Sequence, residues 1–186
     1  MPAGDNQMRE DKTLETARAI ASMVGVDIEV VKVSDVRLEV AINKMVVAEV
    51  VMQYTLLDEL LGEIIVQYFF DVDPDAIHYG GEWRGDKFRI FVHHMLDEMF
   101  LLKKKDVAHA IEPLPSEMNK ILQRINAVRN SLAHSFFPEN RKEYRKSGKV
   151  LYADKDIRTP EGLQRFKDDA AAVHKYLFDR VQGPKF

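Results

Sequence analysis

Between residues 34 and 70 the apolar positions never settle onto a single narrow stripe. Leu38, Ala41, Ile42, Met45, Val46, Val50, Met52, Leu56, Leu57, Leu60, Leu61, Ile64, Ile65, Tyr68 and Phe69 recur at helical spacings. Together they cover more than the roughly 100° of an ordinary surface helix. The pattern predicts one long helix, capped by Ser34 or Asp35, because a short polar side chain can accept from the free N–H groups of a first turn. Such a helix is expected to be buried on two sides. The second side falls either to another copy of the chain or to a further helix of the same chain, and a homodimer is the expectation taken.

Elsewhere the periodicity is simpler. A short helix is predicted over residues 8–24, ending before Gly25, after a polar lead-in expected to be disordered over about residues 1–10. The segment 71–86, with its Asp-Pro-Asp, Tyr-Gly-Gly and Arg-Gly-Asp triplets, carries the turn chemistry of a loop. A helix resumes over residues 87–111 and breaks at Glu112-Pro113-Leu114-Pro115. Ser116 is the expected cap of the next helix, and Pro138 its stop, since the proline ring forces Phe137 out of the α region. Val150-Leu151-Tyr152 with the turn-like Ala153-Asp154-Lys155-Asp156 predicts a short hairpin, and Thr159-Pro160 a capped start to a last helix. The chain therefore reads as one predominantly helical domain over residues 1–186.

Composition narrows the chemistry. The sequence has no cysteine, so disulfides, thiolate metal sites and thiol catalysis are excluded, and a reducing compartment, the cytoplasm, is expected. The stretch from Met45 to Phe70 is interrupted by Glu49, Gln53, Asp58, Glu59 and Glu63, which argues against a membrane span. No secretory signal pattern opens the chain. A formal net charge of -3 supplies no overall attraction to a polyanion, so any nucleic-acid binding would come from a local patch.

The helix from Ser116 carries the most informative residues. Ile121, Ile125, Val128, Leu132 and Phe136 are spaced 4, 3, 4 and 4 apart, which places them on one stripe facing the core. Asn130 and His134 fall together on the opposite side, with Arg129 on the flank roughly 140° from His134. His134 is thus expected to face solvent, a cleft or a partner subunit, in a last turn where the helix dipole favours an imidazolium. The string Val128-Arg129-Asn130-Ser131-Leu132-Ala133-His134 resembles the Arg-x4-6-His signature of the HEPN superfamily, including the polar residue directly after the arginine. A second copy of the spacing, Arg89 to His94, has Phe91 and Val92 in its middle and no asparagine after the arginine, and is set aside.

That resemblance implies an all-α, up-and-down helical bundle with the motif late in the chain, here with a short extended hairpin before the last helix. It also implies a dimer that brings two motifs into one cleft, and metal-independent endoribonuclease activity, with RNA as substrate and no cofactor. A toxin or phage-defence effector, with an antitoxin or regulatory protein as partner, fits the same resemblance. Some members are instead non-catalytic nucleotide-, RNA- or protein-binding regulatory modules, and that alternative stays open. Some members also place a tyrosine two residues after the histidine, where this chain has Phe136, so regulation through that tyrosine is in doubt.

In the catalytic reading His134 serves as acid or base, Arg129 neutralises charge on the phosphoryl oxygens, and Asn130 orients the imidazole or holds a phosphate oxygen. In the structural reading Arg129 and Asn130 tie the helix to neighbouring groups and His134 merely ends it. The segment 141–149 sets Arg141, Lys142, Arg145, Lys146 and Lys149 against Glu143, with Tyr144 available for stacking. It reads either as an RNA-binding loop, with Arg141, Lys142, Tyr144, Arg145 and Lys146 as contacts, or as solvated surface. Lys103-Lys104-Lys105 reads as the charged end of a helix. His93, His94, Asp97 and Glu98 have metal-compatible spacing, but i,i+4 pairs of this kind more often support a helix, and no metal is expected. Trp83, Tyr144 and Tyr152 read as packing or rim aromatics.

Overall fold

The computed structural model describes residues 3–26, 35–70, 85–133 and 149–183, with side chains described from Asp11 in the first stretch and Arg37 in the second. The fold class is all-α, a helical bundle carrying a two-stranded hairpin before its last helix. The described residues form α1 (Ala3–Met23), α2 (Asp35–Phe70), α3 (Asp86–Phe91) continued by a π turn (Val92–Leu96), α4 (Leu101–Ile111), α5 (Ser116–Ala133), β1 (Leu151–Tyr152), β2 (Lys155–Asp156) and α6 (Pro160–Gln182). Two compact units divide the chain: Met1–Met52 with Ala127–Asp168, and Gln53–Asn126 with Asp169–Phe186.

In the first unit α1 begins at Ala3 rather than at residue 8. Pro2 directly precedes that start, and Gln7, Met8, Arg9 and Glu10 are strong helix formers. The core of this unit takes Ala17, Ile20 and Ala21 from α1, Leu38, Ile42, Val46 and Val50 from α2, Val128 and Leu132 from α5, and Leu163 and Phe166 from α6. Lys167 joins the elements through polar contacts: its Nζ donates to the Met23 carbonyl and stands 3.9 Å from the buried Glu49 carboxylate.

The hairpin forms as expected, with Lys155 and Asp156 as the second strand. Leu151 pairs with Asp156 and Tyr152 with Lys155. Ala153 and Asp154 make the two-residue turn with φ of 45° and 67°, the left-handed pair that a tight hairpin's twist requires. Tyr152 is buried, its ring edge-on to Phe166 at 5.3 Å. The Thr159 hydroxyl accepts from the Gly162 N–H at 3.1 Å, and the Thr159 carbonyl from Leu163 at 2.9 Å, so the expected cap of α6 is in place.

In the second unit Leu57, Leu61, Ile64 and Ile65 of α2 are buried with Leu101 and Ala108 of α4, Ile121, Leu122 and Ile125 of α5, and Val173 and Leu177 of α6. The continuous helix expected over residues 87–111 is divided here. Asp97 donates to the Val92 carbonyl at 2.9 Å, an i,i+5 bond, and Phe100 is extended at φ -75°, ψ 158° before α4 starts. No proline or glycine marks the break. Leu96 and Leu101 are both buried, yet five positions apart on one helix they would point about 140° from each other. Interrupting the helix brings both into the core. At the other end of α4, the Asn119 N–H donates to the Pro115 carbonyl at 3.0 Å, so Pro115 rather than Ser116 occupies the capping position of α5. The loop expected over residues 71–86 lies outside the described residues up to 84, and the stop at Pro138 lies outside them too.

Candidate functional site

The last two turns of α5 follow the predicted sidedness. Val128 and Leu132 are buried at 3% and 5% exposure, whereas Arg129, Asn130 and Ser131 are half-buried and Ala133 is exposed. A guanidinium has five N–H donors in a rigid plane. Arg129 turns one of them, Nη1, onto the Asn130 side-chain oxygen at 3.2 Å. The structure thus brings Arg129 and Asn130 together on a flank of α5 that does not face the core. This contact holds the arginine close to its own helix and leaves the asparagine's NH2 group as a second polar terminus beside it.

His134, the third residue of the motif, lies outside the described residues, as does the entire basic segment with Arg141, Lys142, Tyr144, Arg145 and Lys146. Phe136, the last residue of the predicted stripe, and the aromatics Trp83 and Tyr144 lie outside as well. Tyr152 belongs to the core.

His93 Nδ1 stands 3.3 Å from Asp97 Oδ2, with both side chains more than half exposed. That is the helix-supporting contact of an i,i+4 pair. Among the described residues no group of three or more His, Asp or Glu is placed to hold a metal ion.

The lysine run departs from its sequence reading. It lies at a helix end, in the first turns of α4, but it is not a solvated one, since Lys104 and Lys105 are both buried at 7% exposure. Lys104 Nζ pairs with Asp58 Oδ2 at 2.5 Å, and Lys105 Nζ donates to Asn119 Oδ1 at 3.0 Å and meets Asp106 Oδ1 at 2.7 Å. Spacing could have exposed this. Leu101, Lys104, Lys105 and Ala108 recur at i, i+3, i+4 and i+7, the pattern of an inward face. Two arginines of the same unit are similarly engaged: Arg124 Nη2 donates to Asp169 Oδ2 at 3.1 Å, and Arg180 Nη2 donates to the Ala108 carbonyl at 3.1 Å while its Nε is ion-paired with Glu112 Oε2 at 3.0 Å. These charges hold the second unit together and are not offered to a polyanion.

α2 is long and apolar enough over Arg37–Phe70 to cross a bilayer by length and composition. Within the described residues it buries Leu57, Leu61, Ile64 and Ile65 and seats Glu49 and Asp58 beside lysines. Compared with models of protein families, with curated proteins and with solved structures, the chain matches none.

Proposed function

We propose that this chain is a metal-independent endoribonuclease of the HEPN type, with Arg129, Asn130 and His134 as its working residues. One observation supports the reading above others. Arg129 and Asn130 form a hydrogen-bonded pair on the flank of α5, clear of the buried Val128 and Leu132, five and four residues before the motif histidine in sequence. In the proposed reaction His134 takes the proton from an RNA 2′-hydroxyl, whose oxygen attacks the adjacent phosphorus. The P–O5′ bond breaks, and the leaving oxygen receives a proton from a histidine, that of the same chain or of a second copy. The products are a 2′,3′-cyclic phosphate and a free 5′-hydroxyl. Arg129 would bind the phosphoryl oxygens as negative charge grows on them, and Asn130 would keep the guanidinium in place.

The test is cleavage of single-stranded RNA in EDTA by the purified chain, with His134→Ala beside it. Cleavage by the wild type and loss in the variant support the assignment, whereas equal cleavage by both removes it from this site. Binding without cleavage by the wild type would make the chain an RNA-binding module of the same fold class.

A further inference from the structure

Within the first compact unit, the end of α1 and the N-terminal half of α2 leave an open groove of about 310 Å³ between them. Val24 and Val26 line it from the α1 side, Met45, Ala48 and Met52 from α2. The α1 wall is held by a glycine closure. Gly25 takes φ 71°, the Val26 N–H returns to the Ala21 carbonyl at 2.9 Å, and the Gly25 N–H meets the Ser22 carbonyl at 3.3 Å, the bonding that ends a helix through a left-handed residue. The residue after such a glycine often packs back onto its own helix. Val26 is instead 48% exposed, as is Met52 at 50% on the α2 side. Lys167 braces the two walls, since its Nζ donates to the Met23 carbonyl of α1 and stands 3.9 Å from the Glu49 carboxylate of α2.

Two charged residues also line the groove, and they differ. Glu49 is buried and already faces the Lys167 cation. Lys44 is exposed and, among the described residues, takes part in no ion pair or hydrogen bond. We propose that the groove binds a single-chain amphiphile with an acidic headgroup, a medium-chain carboxylic acid, with its tail along Val26, Met45 and Met52 and its carboxylate on Lys44. The volume sets the tail. A methylene fills about as much space as a water, roughly 30 Å³, so one chain of about ten carbons fits and the two chains of a bilayer lipid do not. Methionine's unbranched thioether adapts its shape to such a tail. The charges set the headgroup, because an acid meets the unpaired lysine whereas a cation would lie against it. The proposal is independent of the RNA reading.

Calorimetric titration of the full chain with hexanoate, octanoate and decanoate, each below its micelle concentration, is the test. One molecule per chain is expected, with affinity rising about fourfold for each added methylene. Decyltrimethylammonium, with an equal tail and the opposite charge, should bind about tenfold more weakly than decanoate. Lys44→Glu should remove that preference without altering the shape of the groove. Ala48→Trp, which fills the groove from the α2 side, should abolish binding. Both positions are exposed, so circular dichroism and melting should match the wild type. No saturable binding at millimolar decanoate, equal affinity for the two headgroups, or wild-type affinity in Ala48→Trp would overturn the proposal. So would a chain that co-sediments with phosphatidylglycerol vesicles and ignores decanoate.

Discussion

A Cβ added to Gly162 would stand 2.0 Å from the main-chain carbonyl oxygen of Asp156. That carbonyl ends β2 and accepts the Thr159 hydroxyl at 2.7 Å, so the hairpin folds directly onto the first turn of α6. Alanine is the better helix former by about 1 kcal/mol, and at an open helix position the exchange would stabilise. Here contact with backbone reverses the sign. Gly162→Ala is expected to cost about 3 kcal/mol, the upper range of overpacking a close site. Thermal and urea denaturation decide it, and a melting point at or above wild type would show that the strand end can move away.

The turn two residues wide at Ala153 and Asp154 gives a prediction of opposite sign. Ala153 has φ 45°, a left-handed conformation that costs an ordinary L-residue roughly 1–2 kcal/mol and that asparagine tolerates better. Ala153→Asn should therefore raise stability by about 1 kcal/mol, and Ala153→Val should lower it, because a branched Cβ crowds that conformation most. Paired melts of the two variants check the order.

Much of this architecture was legible in the sequence because it depends on local chemistry. Thr159-Pro160 caps α6, the Ala153-Asp154 turn closes the hairpin, and the Ile121, Ile125, Val128 and Leu132 stripe is buried, each as its own few residues dictate. The break between Leu96 and Leu101 was not legible, since no residue in it opposes a helix; packing both leucines inward imposes it. Lys104 and Lys105 were misread for a related reason. A run of three lysines suggests surface, and partners far along the chain, Asp58 for Lys104 and Asn119 beside the neighbouring Asp106 for Lys105, make burial tolerable. For the candidate site, the sidedness of Arg129 and Asn130 followed from the period of α5, whereas their mutual hydrogen bond is a rotamer choice that no periodicity encodes.

Lys104 and Asp58 also test what that buried pair contributes. Their side chains are exposed by only 8% and 22%, so removing one leaves the other charged with little water. Lys104→Met alone is expected to cost roughly 3 kcal/mol. The double change, Lys104→Met with Asp58→Leu, should recover most of the loss, because two apolar groups need no partner. Equilibrium unfolding of the single and double variants measures the coupling. Additive losses would mean that the two residues act separately.

The basic segment around Arg141, Lys142, Arg145 and Lys146 bears on the proposed RNA interaction through salt. Each phosphate contact releases counterions, so the logarithm of the affinity should fall linearly with the logarithm of salt concentration, with little dependence on base sequence. Neutralising all four with glutamine should flatten that slope by roughly 3, at about 0.7 per contact on a single strand. Titrations at several salt concentrations measure it, and an unchanged slope would assign these residues to solvated surface.

The proposed chemistry predicts that activity and stability separate at the motif. Removing a buried aliphatic such as Leu132 should cost about 2–5 kcal/mol. Arg129 sits off the core face with its Nη1 on Asn130, and truncating it to alanine should change stability by no more than about 1 kcal/mol. His134→Ala should be similarly mild. If both residues serve one transition state, each single variant should lose RNA cleavage, and the double variant should be little worse than either, because parts of one catalytic unit are not additive. A structural role predicts the reverse: large drops in melting point that add together, with residual cleavage following the folded fraction. Melts and EDTA-resistant cleavage on Arg129→Ala, His134→Ala and the double variant separate the two cases, and full cleavage by His134→Ala would end the nuclease assignment at this site.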